Sequence, residues 1–238
     1  MTLRILLLDT ETNGLPKSKY APVSEFTLYP AILQLSWAIY TVAEGSQQQH
    51  WLHPGAKQDV GLALDPSIPW DTGAAAIHGL SEIEARHGSS AREALLALGR
   101  ALRSVNVVVA HNLSFDKSVI RAAAYAEASR PDTDDEDGTL LRNLWPPVSE
   151  LKECCTMAQT RELVQIPATA AQAAYVALGA YKSPKLNELY AWIYGHAYDI
   201  SGAFLHTAKS DVDCLALCIA GLLKQGRLRI SGGTLAII

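Results

Sequence analysis

The chain has 238 residues, of which 49% are hydrophobic. It is therefore long and apolar enough for one α/β domain with its own core, and it is not intrinsically disordered. Its formal net charge of -4 excludes a protein that coats duplex DNA through a broad basic face, but it permits binding of a few nucleotides where metal ions offset acidic side chains. The apolar run Ile5–Leu8 is too short for a signal peptide or a membrane span and predicts a buried strand.

The four cysteines do not have the spacing of a secreted disulfide framework. They are Cys154, Cys155, Cys214 and Cys218. A zinc site made by all four is an alternative, but a vicinal pair plus C-x-x-x-C is not a usual ligand spacing. The pattern favours buried, reduced thiols, because free cysteine is often buried. We therefore expect a reducing intracellular compartment, the cytoplasm.

The first third of the chain predicts an antiparallel meander. Apolar patterning predicts three strands, and a turn at Glu44-Gly45 joins the second strand to the third. Polar and proline-containing loops are predicted over residues 10–30 and from residue 54 to residue 70. The predicted strands are Leu3–Asp9, Ala31–Thr41 and Gln47–His53.

Apolar residues at helical spacing predict helices through the rest of the chain, with two further strands among them. Val105–Ala110 is a short β-branched run typical of a central strand, and Cys154–Thr156 predicts an edge strand. Ser114 is the predicted N-cap of the helix that follows the central strand. The predicted helices are Thr72–Ile77, Ser81–Arg86, Ala91–Leu102, Ser114–Ala128, Met157–Leu163, Ala168–Leu178, Leu186–Tyr194 and Thr207–Lys224.

Two segments differ in composition from their surroundings. Residues 129–150 predict a surface insertion in a single domain that covers residues 1–224. Their D-x-D-x-x-D-G fragment matches a calcium loop only in part, because the glycine is one position late and the distal glutamate is absent. A solvated acidic loop is therefore favoured. The tail, residues 225–238, is apolar with a Gly-Gly hinge, and it could add a strand, dock on a partner or be disordered.

Two carboxylates lie at the end of the first predicted strand. Asp9 and Glu11 are at positions i and i+2, so they project from the same face. Side by side they would repel each other and raise one pKa unless a cation lies between them; a chance acidic pair that faces solvent is the alternative. Asn13-Gly14 then predicts a tight turn whose backbone N–H groups could approach a phosphate or a terminal sugar.

Asp116 lies in the first turn of the helix that follows the central strand. The helix macrodipole favours a carboxylate there, so capping electrostatics are the alternative to a functional role. The carboxyl end of a central strand is nevertheless where α/β sheets place their sites.

The third motif contains His206 and, five residues later, Asp211 at the start of the last helix. Histidine titrates near neutral pH, although a lone histidine is commonly structural. Asp213 is a competing carboxylate, which we predict to face solvent or to form a capping box with Ser210.

Together the three motifs supply the parts that metal-dependent phosphodiester cleavage needs. D-T-E-T-N-G-L at 9–15, H-N-x-x-F-D at 111–116 and H-x-A-x-x-D at 206–211 resemble, in order, the motifs of the DnaQ-like (DEDDh) 3′–5′ exonuclease family of the ribonuclease H-like superfamily. I-H-G-L at 77–80 resembles a further segment of that family, whereas Val212 stands where the family usually has Ala. The resemblance spans residues 3–223. It implies an α/β fold with a mixed five-stranded sheet, an antiparallel meander plus parallel strands, flanked by helices.

The resemblance also implies a mechanism. Two divalent metal ions, Mg²⁺ with Mn²⁺ as a substitute, would be held by carboxylates, and His206 would take the proton of the attacking water. The implied metal ligands are Asp9, Glu11, Asp116 and Asp211. The residues implied to contact the terminal nucleotide are Thr12, Asn13, Gly14, Leu15, Ile77, His78 and Asn112. Structural roles for His78 and His111 stay open.

We therefore predict a metal-dependent 3′–5′ exonuclease that releases nucleoside 5′-monophosphates from the 3′ end of DNA, preferably single-stranded. The alternatives are a 3′–5′ exoribonuclease, a phosphoesterase acting on small nucleotides, and a catalytically silent nucleic-acid-binding scaffold with the same fold. The expected partner is a nucleic-acid 3′ end and not a membrane. The sequence leaves open a protein partner or a homodimer.

Overall fold

A mixed five-stranded sheet forms the centre of the molecule. The structure, a computed structural model, describes residues 2–18, 20–44, 50–169, 181–198 and 207–238. The strands of this sheet are β1 (Thr2–Thr12), β2 (Ile32–Glu44), β3 (His50–Gly61), β4 (Val107–Ala110) and β5 (Lys152–Cys155). Their order is β3-β2-β1-β4-β5; β1, β2 and β3 pair antiparallel, whereas β4 pairs parallel with both β1 and β5. This topology confirms the predicted fold class.

Helices flank the sheet on both faces. Within the described residues they are α1 (Thr72–His78), α2 (Glu82–Arg86), α3 (Ala91–Leu102), α4 (Leu113–Ala128), α5 (Asp135–Arg142), α6 (Thr156–Gln159), α7 (Arg161–Val164), α8 (Leu186–Tyr194) and α9 (Ala208–Lys224), with a 3-10 turn at Phe26–Leu28. The bounds predicted for α3 and α8 are confirmed.

The alternation of side chains along β1 gives the sheet two buried faces. Leu8 packs with the apolar residues of α3 and α4, whereas Leu7 packs with those of α9, against which α8 lies. Because side chains alternate with a period of two, Thr10 continues the first face, and Asp9 and Glu11 continue the second. The end of β1 therefore presents its two acids toward α9.

β3 and β1 continue past their predicted ends. β3 continues to Gly61, where a loop was predicted from Pro54 onward. It is an edge strand, and a proline costs little there because one side of the strand makes no ladder hydrogen bonds. Pro54 also lies at a register shift in the pairing with β2. β1 continues beyond Asp9 to Thr12, so Glu11 lies within the strand.

One predicted helix cap is wrong, and of the two alternatives for Asp213 the capping box with Ser210 is excluded. Asn112, and not Ser114, precedes the first residue of α4, and the Ser114 hydroxyl donates to Asn112 Oδ1 over 3.4 Å. At α9 the N-cap is Thr207, whose hydroxyl accepts from the Ser210 N–H over 3.2 Å. Ser210 is thus already inside the helix, so it cannot begin a capping box with Asp213.

The helix predicted over Met157–Leu163 is divided into α6 and α7. At the junction the Thr160 hydroxyl donates to the carbonyl of Thr156 over 2.7 Å, and such side-chain bonds compete with regular helix. The helix predicted over Ala168–Leu178 falls almost entirely on residues 170–180, which lie outside the described residues.

Residues 129–150 carry α5, which packs against α3 and α4. Leu141 and Leu144 belong to the buried core between these helices and the sheet. The Asp134 side chain caps α5 by accepting from the Asp137 N–H over 2.7 Å. The acidic residues that predicted a solvated loop therefore begin a helix.

The C-terminal tail forms a hairpin of β6 (Leu228–Ser231) and β7 (Thr234–Ile237). Leu228 and Leu235 are buried in the same cluster as α9, and β7 contacts β5. Of the three alternatives for the tail, a strand is therefore the one observed. All four cysteines are free, as predicted. Within the described ranges, no helix is both long enough and apolar enough to span a membrane.

Candidate metal centre

Three carboxylates from two distant parts of the chain meet at the end of β1. One ligand oxygen from each of Asp9, Glu11 and Asp211 lies within 4.8 Å of the other two. Asp9 and Glu11 project from β1, and Asp211 comes from the first turn of α9. Hard oxygen donors of this kind are the ligands that Mg²⁺ and Mn²⁺ prefer. The structure thus brings together three of the four predicted metal ligands.

Asp116, the fourth predicted ligand, is buried in the first turn of α4. Its carboxylate accepts a hydrogen bond from Thr10 Oγ1 over 2.8 Å. Thr10 points to the sheet face opposite to that of Asp9 and Glu11, so Asp116 is fixed at the sheet end from the other side. It does not belong to the group of three that lies within 4.8 Å.

The acids strongly perturb one another's ionisation. Burial, together with the negative charges of Asp116 and Asp211, raises the pKa of Asp9 well above its ordinary value and that of Glu11 to about 8. Burial also raises the pKa of Asp116 to about 7, although the hydrogen bond from Thr10 opposes this change. A cation among these oxygens would favour the ionised forms. The residues therefore fit a divalent metal ion, since only added positive charge makes the fully ionised set favourable near neutral pH.

His206, the predicted general base, lies outside the described residues, which resume at Thr207. Thr207 is the N-cap of α9, so His206 directly precedes the helix that carries Asp211. Its role stays a prediction.

The predicted nucleotide-contacting turn follows β1 directly. The Thr12 hydroxyl donates to the Gly14 carbonyl over 2.8 Å, and Gly14 has a φ of 106°, a conformation that glycine adopts without strain. The Asn13 side chain donates to the carbonyl of Pro69 over 2.8 Å and accepts from the N–H of Asp71 over 2.9 Å. Asn13 thus ties the turn to the loop before α1.

The predicted base-contacting residues differ sharply in exposure. Leu15 is 80% exposed and Ile77 is 65% exposed, which is unusual for large apolar side chains and leaves both free to contact a base. His78 is only 1% exposed. Its Nδ1 accepts from the Leu80 N–H over 3.0 Å. Its ring packs edge-on against that of Trp70, with 6.0 Å between the two ring centroids. Among the residues that the structure describes, none is a hydrogen-bond partner of its Nε2. This burial favours a structural role for His78.

The second motif also contains a structural histidine. His111 Nδ1 lies 3.0 Å from Thr156 Oγ1, and His111 Nε2 lies 2.9 Å from the carbonyl oxygen of Pro184. Both ring nitrogens are therefore occupied by protein groups, and the ring joins the end of β4 to the segment before α8. Asn112, predicted to lie close to substrate, is half-buried at the start of α4.

Sequence reasoning missed the polar neighbours of the acids. In the β1–β2 register, Asp9 lies opposite Ser36 and Glu11 lies opposite Gln34. Both of these polar side chains are buried in an otherwise apolar strand, and that contrast was the available signal. Thr10, which holds Asp116, could be recognised only from the structure.

A groove of about 1190 Å³ begins at the turn after β1 and runs between the loop before α1 and the second half of α4. None of the four carboxylates lines it. Its wall carries as many acidic as basic side chains, so charge gives no reason to assign it to an anionic polymer. The charged lining residues are Lys17, Arg86, Arg130, Asp65, Asp71 and Glu127.

Solved structures that share this fold include exonucleases. Exonuclease I of E. coli in complex with a dT13 oligonucleotide matches with a TM-score of 0.59 and 16% identity over 93% of this chain and 41% of that chain. The fold is one that exonucleases use. A 3′-exonuclease from a structure of 3′-end-specific recognition of the histone mRNA stem-loop matches with a TM-score of 0.58 and 10% identity, over 99% of this chain and 90% of that one.

These likenesses establish the fold alone. The chain spans about two fifths of the length of exonuclease I. Product-bound exonuclease I gives a similar match, with a TM-score of 0.58 and 15% identity over 95% of this chain and 45% of that chain. A scan against protein-family models finds no match, and a search of curated proteins finds none either.

Proposed function

We propose that this chain is a metal-dependent 3′–5′ exonuclease that releases nucleoside 5′-monophosphates. The observation that carries the proposal is the convergence of Asp9, Glu11 and Asp211 within 4.8 Å at the end of the central strand. Buried Asp116 lies at the same end of the sheet, on a fold shared with two 3′-exonucleases. A catalytically silent scaffold would gain nothing from holding buried Asp116 and three partly buried carboxylates at one end of the sheet, where their charges repel.

Each acidic residue has a proposed task. Asp9, Glu11 and Asp211 would hold divalent ions, and Asp116 would add a fourth carboxylate, directly or through water. When bound, the ions supply the positive charge that stabilises the attacking and leaving oxygens of a phosphodiester. His206 would accept the proton of the attacking water at an imidazole nitrogen. Imidazole, with an ordinary pKa of ~6.5, is largely neutral and basic at pH 7–8.

The turn after β1 would receive the 3′-terminal nucleotide. Leu15 and Ile77 are exposed and would pack against the terminal bases, and apolar surface of this kind is sequence-tolerant because every base has a π-face. The Asn13 side chain holds the turn in place through Pro69 and Asp71, so its proposed role is to position the turn.

Single-stranded DNA is the favoured substrate, because the D-T-E-T-N-G-L-P motif looks more like the DNA-directed members of the family than the oligoribonuclease pattern. RNA is the second candidate. One observation favours it: the match covers 90% of the 3′-exonuclease that recognises the histone mRNA stem-loop, but only 41% of exonuclease I.

The deciding experiment compares one sequence as 5′-labelled single-stranded DNA and as RNA. Each strand is incubated with the protein in Mg²⁺ and in EDTA, and the products are resolved on a sequencing gel. We expect a 3′-to-5′ ladder on DNA in Mg²⁺ and none in EDTA. A ladder on RNA alone would select the second candidate, and intact strands of both polymers in Mg²⁺ and Mn²⁺ would overturn the proposal.

A further inference from the structure

A hydrogen-bond network, buried at Gln34, Ser36 and Ala208, joins the start of α9 to the sheet. Gln34 Oε1 accepts from the N–H of Ala208, the first residue of α9, over 3.0 Å. Gln34 Nε2 donates to Asp59 Oδ1 over 3.0 Å, and the Ser36 hydroxyl donates to the same oxygen. Both ends of the Gln34 amide are thus hydrogen-bonded, its oxygen to the helix and its nitrogen to β3.

The sheet register places this network beside the acids. Glu11 lies opposite Gln34 across the β1–β2 pair, while Asp9 lies opposite Ser36, and Ser36 lies opposite Asp59 on β3. Residues opposite each other in a sheet point to the same face. The network therefore continues the row of acids across the face that α9 covers.

Helix starts leave their first N–H groups without partners inside the helix. Thr207 serves the N–H of Ser210, so the N–H of Ala208 depends on Gln34. Ala208 is fully buried, which excludes solvent as a substitute partner. Asp211 lies one turn further along the same helix, and its distance from β1 follows from where the helix starts.

We propose that Gln34 is a positioning residue that sets Asp211 against Asp9 and Glu11. Its amide fixes the first turn of α9 to β2, and Asp59 and Ser36 fix the amide. The expected effect of Gln34 on kcat rests on the proposed function. The expected effect on metal affinity does not depend on which phosphodiester is cleaved.

The test uses Gln34→Met, which keeps the side-chain shape and removes both hydrogen bonds. Mn²⁺ affinity by calorimetry and kcat on single-stranded DNA should each fall ~10- to 100-fold, the usual effect of losing a group that orients a metal ligand, while KM stays within ~2-fold. Amide exchange in the peptide that covers the start of α9 should accelerate. Gln58→Leu is the matched control: Gln58 is an exposed glutamine on β3, and we expect no change in any readout.

A charge-conserving rescue separates positioning from general stability. Gln34→Glu places a carboxylate against Asp59 and should be as defective as Gln34→Met. In Gln34→Glu/Asp59→Asn the amide nitrogen of residue 59 takes the place of the oxygen to which Gln34 and Ser36 both donate. It can donate one N–H to the carboxylate of residue 34 and the other to the Ser36 hydroxyl oxygen, which then accepts. We expect this double variant to recover most of the Mn²⁺ affinity and kcat.

Two results would overturn the assignment: wild-type Mn²⁺ affinity in folded Gln34→Met, or a double variant no better than Gln34→Glu. If Gln34→Met does not fold, the comparison of Gln34→Glu with the double variant decides. Loss of Mn²⁺ affinity in a protein whose wild type cleaves neither DNA nor RNA would support the positioning role and reject the proposed function.

Discussion

Asp211 and Asp213 lie two positions apart on α9, but their surroundings differ. Asp211 belongs to the group of three carboxylates, whereas Asp213 is exposed and pairs with Lys57 of β3. We expect Asp211→Asn to lower kcat on single-stranded DNA in Mg²⁺ by ~10³-fold or more, about 4 kcal/mol of transition-state stabilisation. Asp213→Asn should stay within ~2-fold of wild type, because exposed ion pairs contribute little. Initial rates of both variants decide the matter, and the reverse ranking would move the third motif to Asp213.

His206 is the only histidine of the three motifs whose ring has a proposed chemical role, since His111 is held by Thr156 and Pro184. His206→Ala should lower kcat by ~10²–10⁴-fold, the usual scale for a general base. The rate of wild type should rise with pH through the ordinary histidine pKa of ~6.5, and the variant should lose that rise.

The control for this prediction is His53→Ala, because His53 is an exposed histidine of β3. Rates measured from pH 6 to pH 9 should be unchanged in it. A His206→Ala variant with the wild-type rate and pH profile would remove His206 from the role of base.

At the level of elements, the sequence pattern correctly predicted the helices and strands whose formation depends mainly on local interactions. β1 was predicted from an apolar run, and α3 from apolar residues at helical spacing. Asp9 and Glu11 were predicted to share one face at the end of the strand because they are two positions apart. The length of β3 was not predictable, because its exposed, proline-containing sequence is tolerated only at a sheet edge. The contact from Gln34 to Ala208 joins residues 174 positions apart, so no local pattern could reveal it.

α5 provides a sharper test of how an element joins the core. Leu140 and Leu141 are adjacent in α5, but Leu140 is 38% exposed and Leu141 is 1% exposed, buried against α3 and α4. Leu141→Ala should lower the free energy of unfolding by about 2–4 kcal/mol, because it leaves a cavity. Leu140→Ala should lower it by less than ~1 kcal/mol.

Urea denaturation of both variants measures this difference. Equal, small losses in the two variants would mean that residues 129–150 are a surface addition with no part in the core. A large loss for Leu141→Ala alone would make α5 a structural part of the domain.

At the level of the whole molecule, the fold opposes the ionisation of its own site. Asp9, Glu11 and Asp211 come from β1 and α9 and are partly buried, whereas Asp116 comes from α4 and is buried. This placement raises the pKa values of Asp9, Glu11 and Asp116. Buried charges of one sign are tolerated only with compensation. Metal binding and folding stability must therefore be coupled through this site.

This coupling predicts how stability depends on pH. Glu11 has an ordinary pKa of 4.5 and a folded-state pKa of about 8, so the folded protein holds a proton that the unfolded chain has lost. The stabilisation is complete below the unfolded pKa and is lost as pH rises through the folded one. In EDTA, the free energy of unfolding should thus fall between pH 5 and pH 8, by on the order of a few kcal/mol. At pH 8, adding about 5 mM Mg²⁺, a concentration suited to a weak site of hard oxygen ligands, should restore much of the lost free energy. Glu11→Gln is the control: in EDTA at pH 8 it should be more stable than wild type and should respond less to Mg²⁺. Urea denaturation at both pH values measures this, and a wild type equally stable at pH 5 and pH 8 in EDTA would show that the four acids are not coupled as the structure indicates.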